Sequence, residues 1–180
     1  LVAATLAVPG VAYPCTSFHY TADPESSVIA HHFDYGFRLP HQLIYSPVGT
    51  RRRTLPHDFI NRSFPQPGQT EAQWTSRFAS LSVTGLGPIV TYSGTNSAGL
   101  IVNMLDLYGV PSMASPAPGL VGISNLQLTQ YLLDQAGTIE EARRLVAQSN
   151  VGNLLGSYHW LVCETKAATH RCAVLDWDSQ

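Results

Sequence analysis

Three cysteines stand out as residues able to do chemistry: Cys15, Cys163 and Cys172. Cys163 and Cys172 sit in two apolar runs, YHWLVCE and RCAVLDW, joined by the polar link TKAATH. They are nearly symmetric about that turn. Two readings stand: a cross-strand disulfide in an exported protein, or two buried thiols. Cys15 is left over in either case, and an odd cysteine in an exported chain is a candidate reactive thiol. It follows an uncharged apolar opening, LVAATLAVPGVAYP, and leads into the β-forming run TSFHYT. The opening is too short to span a bilayer. It reads as the apolar part of a secretory leader, residues 1–14, with Gly10 and Ala12 at cleavage-type positions. Pro9, Gly10 and Pro14 argue against a buried first strand or helix. A cut before Cys15 would give it a free α-amine, with an ordinary pKa of about 7.7–8.0. That amine can take the thiol proton and pass it to a leaving group, so one residue supplies both nucleophile and base. In peptide linkage the amine does not exist. The competing reading of Cys15 is a small buried residue at a strand start.

Positioning such a thiol requires a folded scaffold, and the composition supports one. The chain of 180 residues is 44 % hydrophobic, enough for a sizeable core. Charged residues are only 12 %, and the net charge is -2. That balance offers no field for nucleic acid or an anionic membrane. Arg51, Arg52 and Arg53 are a local exception, too short for a nucleic-acid site and read as a solvated loop. Zinc spacing is absent, and no cofactor motif appears. His31 and His32 make a poor metal pair, because adjacent strand residues point to opposite faces. One is expected out and one packed in.

The elements follow from punctuation and period. Residues 15–35 read as a hairpin broken at Asp23-Pro24, and 41–48 as a third strand. Residues 49–75, with Pro56, Pro65, Pro67 and Gly68, read as a long loop. Runs at 78–84, 88–94 and 99–105 predict three more strands, and 109–119 another loop. Ser124 caps a helix with an apolar face of Leu126, Leu128, Tyr131, Leu132 and Leu133, ended by Gly137. Thr138-Ile139-Glu140-Glu141 is a capping box opening a second helix. Two strands close the chain, at 158–164 and 171–177. Many strands, two helices and two strands make an α+β layout rather than alternating βαβ units.

Taken in order, CTSFHYT, VIAHHFDY, WTSRFASLSV, GTNSAGLIVNML, SNLQLTQYLLD, TIEEARRLV and YHWLVCETKAATHRCAVLDW resemble the choloylglycine hydrolase family. That family holds bile salt hydrolases and penicillin V acylases. The resemblance runs from Cys15 to about Trp177 and covers roughly the N-terminal half of a family domain. It implies an N-terminal nucleophile hydrolase: a four-layer αββα sandwich, here incomplete, over residues 15–180. The implied reaction cleaves linear amide bonds after removal of the residues before the cysteine. By position, Cys15 matches the family nucleophile, and Asp34 matches the Asp that holds the new α-amine. Where the family has Arg three residues before that Asp, this sequence has His31, which is mostly neutral at pH 7. His31 and Asp34 share a face only if the strand bends or ends between them.

Asn96 matches the family's Asn-Glu-Lys-Gly-Leu turn and reads structurally, with Gly99 permitting a positive φ. Asp106, six residues after Leu100, falls where the family places Asn, Tyr or Trp beside the oxyanion. A carboxylate there would repel developing negative charge, which leaves its backbone N–H as a donor and the side chain as an exposed strand end. Tyr108, Phe64 and Trp74 suit a small-molecule acyl amide with an apolar acyl group, although each aromatic alone fits a core equally well.

The implied protein is exported, to a periplasm or beyond the cell, with no membrane span and no nucleic-acid partner; a homo-oligomer is compatible. Two other readings compete. One is a truncated or degenerate family member that at most binds acyl ligands. The other is a papain-like hydrolase in which Cys15 opens a helix beside a His such as His159; the β-rich pattern after Cys15 argues against it.

Overall fold

A computed structural model of the chain describes residues 15–23, 26–34, 40–55, 70–85, 87–107, 120–152, 156–165 and 170–176. Residues 1–14, expected to be a leader, Pro24, Phe64, Tyr108 and residues 109–119, expected to be a loop, lie outside the described residues. The first hairpin is β1 (Thr16–Asp23) paired antiparallel with β2 (Ser26–His32). Then come β3 (Gln42–Ser46), β4 (Arg51–Arg53), β5 (Thr70–Glu71), β6 (Gln73–Thr75), β7 (Ser80–Gly85), β8 (Val90–Asn96) and β9 (Leu100–Asp106). After β10 (Val121–Ser124) the two helices, α1 (Asn125–Gln135) and α2 (Ile139–Ala147), lead to β11 (Ser149–Gly152), β12 (Tyr158–Glu164) and β13 (Arg171–Leu175). The α+β class expected from the sequence is what the chain adopts.

An antiparallel six-stranded sheet in the order β13-β12-β9-β8-β7-β3 is the frame. Helix α1 packs across β8 and β9, while the β1–β2 hairpin lies on the opposite face, where Asn103 of β9 bonds Ser17 of β1. A small parallel sheet, β11-β10-β5, and the two-stranded ribbon β4-β6 complete the described strands. The long loop expected over 49–75 is therefore interrupted by three short strands. Two or three residues each are too few to show a period in sequence.

Helix α1 starts where Ser124 Oγ accepts the Leu126 N–H. It is buried on nearly all sides, because the large sheet lies on one flank and the β4–β6 ribbon on the other. Leu128, Leu132 and Leu133 are fully buried, each worth roughly 1.5–3 kcal/mol. Its polar residues are buried too, and bonded. Gln127 accepts from Leu55 N–H and donates to the Arg53 carbonyl. Gln130 donates to Ser80 Oγ and Asp134 Oδ1 and accepts from Ser82 and Thr91. Helix and sheet come so close that a side-chain carbon at Gly94 would sit 2.6 Å from Leu133 Cδ1. Helix α2 opens on the predicted box: Thr138 Oγ1 accepts the Glu141 N–H, and Glu141 Oε2 accepts the Gly137 N–H.

Asn96 closes this assembly. Its Nδ2 donates to the carbonyls of Leu133 and Ala136 at the end of α1. Its Oδ1 accepts from the N–H groups of Ala98 and Leu100 in the β8–β9 turn, where Gly99 takes the expected positive φ of 82°. Cys163 and Cys172 face each other across β12 and β13 and form a disulfide.

Candidate active site at the start of the first hairpin

Antiparallel pairing brings the two ends of the hairpin together. Thr16 lies opposite His32 and Ser17 opposite His31, so Cys15 meets the residues that leave β2. Cys15 is 7 % exposed, and its thiol points at the main-chain oxygen of Asp34, 3.7 Å away. It leads into a strand rather than a helix, which removes the papain-like reading. The chain leaves β2 after His32, and Asp34 turns its carboxylate to the outer side, with Oδ2 3.0 Å from His32 Nδ1. His32 is exposed and His31 is turned inward.

The His31 ring bonds the Met104 carbonyl and packs edge-on to Phe33, whose own ring stacks on Tyr92 at 4.0 Å. Burial holds His31 below the ordinary imidazole value of 6.5, against the pull of the Met104 carbonyl and with a smaller push from His32. At neutral pH it is an uncharged ring, as expected of a His at this position.

The structure thus gathers Cys15, His31 and Asp34 at one end of the hairpin. Asp106 does not join them on that face. It ends β9 opposite Tyr158, and alternation puts its side chain on the face of Val102 and Met104, away from Asn103. Half-burial raises its pKa, countered by the Leu107 N–H and by His159. It is not the freely exposed strand end expected.

Trp74, a candidate for an acyl pocket, packs on the helix side instead. Its Nε1 donates to Asp134 Oδ2 at 2.7 Å, and its ring meets Tyr131 edge-on. The Arg triplet is also not a simple solvated loop. Strand alternation turns Arg52 inward, where Nε bonds the fully buried Asp134 at 2.8 Å and Nη2 bonds Ser46 Oγ. Burial raises the Asp134 pKa, against Trp74, Arg52 and Gln130.

Asn103, to which the sequence assigned no role, is 2 % exposed and lies on the Cys15 side of β9. Its signal was a lone amide inside the apolar run GLIVNML, which must find partners if buried.

Residues 15–171 match the family of linear amide C–N hydrolases described as the choloylglycine hydrolase family, and the match begins at Cys15 itself. The chain belongs to this family. No curated protein matches it. Penicillin V acylase from Agrobacterium tumefaciens superimposes with a TM-score of 0.62 at 20 % identity, over 92 % of this chain and 52 % of that one. A point mutant of conjugated bile acid hydrolase from Clostridium perfringens gives a TM-score of 0.62 at 12 % identity, over 93 % and 54 %. At these identities the likeness is one of fold. The chain spans about half the length of these family structures. Among the described residues no group of three or more His, Cys, Asp or Glu is placed to hold a metal ion, and no helix is long and apolar enough to cross a membrane.

Proposed function

We propose that the chain is the nucleophile-bearing part of an enzyme that hydrolyses linear amides, of the penicillin V acylase and bile salt hydrolase type. The observation that carries this reading is a coincidence at one position. The family match begins at residue 15, that residue is the free cysteine, and the first strand follows directly at Thr16. On this reading residues 1–14 are removed and the new α-amine of Cys15 takes the proton from Sγ. The sulfur attacks the amide carbonyl, and the amine passes that proton to the departing nitrogen. Water then cleaves the thioester and releases a carboxylic acid. Asp34 holds the α-amine, which requires its carboxylate to leave His32.

An apolar acyl group fits the low charge of the chain and the apolar side chains beside the hairpin. The Cys163–Cys172 disulfide favours an exported protein, since such bonds persist in oxidising compartments. The test uses the full-length gene product. The mature N-terminus is read by mass spectrometry, and Cys15→Ser is assayed for cleavage of phenoxyacetyl, fatty acyl and steroid amides. Cleavage is expected to fall to background. A mature protein that keeps Tyr13 and Pro14, with amide cleavage unchanged by Cys15→Ser, overturns the reading.

The pairing of Asp34 with His32, away from Cys15, favours a second reading, a non-catalytic relative that binds acyl ligands. It predicts retention of Tyr13 and Pro14 together with no amide cleavage by the parent protein.

A further inference from the structure

We propose that Asn103 is a positioning residue for Cys15: acting through Ser17, it fixes where the first strand, and hence the sulfur, sits on the large sheet. The inference rests on the reading of Cys15 as the nucleophile.

An amide buried in an apolar strand is costly unless its donors and acceptor are used. Asn103 uses them to join two layers. Ser93 Oγ on β8 donates to its Oδ1 at 2.6 Å. Its Nδ2 donates to Ser17 Oγ on β1 at 2.8 Å. Ser17 Oγ in turn donates to the Ala30 carbonyl on β2 at 2.9 Å. Donors and acceptors run one way from sheet to hairpin, Ser93 to Asn103 to Ser17 to Ala30, so each hydroxyl proton has a single direction to point. Such a chain polarises its members and tolerates one geometry.

Ser17 is two residues beyond Cys15 and faces the same side of β1, about 7 Å along the strand. A link at Ser17 therefore sets the depth and register of Cys15. The neighbouring residue of β9 repeats the attachment, because the Met104 carbonyl takes the His31 ring directly across from Ser17. The hairpin has little else to hold it on its outer side. Phe18, Tyr20 and Val28 face outward and are more than half exposed.

The test reads the thiol itself, so it does not depend on turnover. Cys15 in the full chain is alkylated with iodoacetamide at 25 °C, and the modified peptide is quantified over time between pH 6 and 9. Asn103→Ala and Ser17→Ala are each expected to raise the alkylation rate about tenfold, the shift in an opening equilibrium when one hydrogen bond of ordinary strength is lost. The double variant should react no faster than either single one, and Ser17→Thr, which keeps the hydroxyl, should restore the parent rate. Thr138→Ala, at a helix cap remote from the hairpin, serves as a control for general loss of stability. If both single variants alkylate at the parent rate, or only as fast as Thr138→Ala for the same fall in Tm, the proposal is overturned. Should Asn103→Ala fail to fold, the comparison of Ser17→Ala with Ser17→Thr decides alone. Cys15→Ser with unchanged amide cleavage would sink the nucleophile reading and leave this link between strands standing.

Discussion

His31 shows how one substitution of residue type changes the behaviour of a site. A ring held below its ordinary value binds its proton more weakly in the folded chain than in the unfolded one. Above about pH 7 neither state is charged, and the fold keeps its full stability. As pH falls through 6.5 the unfolded chain gains a proton that the folded chain resists, so stability is lost toward acid pH. Tm is expected to be flat above neutrality and to drop between about pH 6.5 and 5. His31→Gln, which stays uncharged throughout, should flatten that part of the profile. A Tm profile identical to the parent's would show that other groups carry the acid lability. That Cys15 and Asp34 lie together was legible by type and order in the chain, since a hairpin over 15–35 brings its two ends side by side. Asn103 was not, because its partner Ser17 is 86 residues away in sequence, and nothing local distinguishes a bonded amide from an interruption in a strand.

Elements are held to one another here by polar side chains that look superficial in sequence. Asp134, in the stretch LLDQ, reads as the wet side of an amphipathic helix. It is fully buried, because β4 and β6 roof over that side of α1 and supply Arg52 and Trp74. The ribbon itself was hidden in a Pro- and Gly-rich stretch. Asp134→Ala leaves a largely buried guanidinium without its carboxylate and is expected to cost about 3–5 kcal/mol, read as a lower urea midpoint at unchanged slope. Thr138→Ala removes the acceptor for the Glu141 N–H and should cost about 1 kcal/mol. The two helix N-caps were legible because capping is written within four residues; at the other end of α1 an extended Ala136, not a left-handed Gly137, makes the cap. The β12–β13 disulfide joins cysteines nine residues apart, a short loop. Reducing it is expected to lower stability by about 2–3 kcal/mol on the chain-entropy account, visible as a fall in Tm with dithiothreitol. Their symmetry about the turn was visible in sequence, but only the strand register decided between a bond and two thiols.

On the large sheet, the apolar side chains of β7 and β3 face away from α1. In β7 the hydroxyls of Ser80, Ser82 and Thr84 point toward α1, while Leu81 and Val83 point to the hairpin side. Leu43 and Tyr45 of β3 continue that surface at 67 % and 68 % exposure. A period-two pattern tells which residues share a face but not which face is inside, so the inversion was not legible. Patches of this kind drive association. The 180-residue chain alone is expected to self-associate progressively as its concentration is raised, seen by light scattering, and Leu43→Lys with Tyr45→Lys should return it to monomer without lowering Tm. A parent that stays monodisperse over the whole range would contradict this. The four bonds of Asn96 bear on how the fold comes apart. The β8–β9 turn and the last turn of α1 share one side chain, so neither can fray while the other stays shut. Deuterium uptake at the Ala98 and Leu100 amides should then track that of the α1 interior, at the free energy of global opening, although a turn this near the surface would ordinarily trade its protons early.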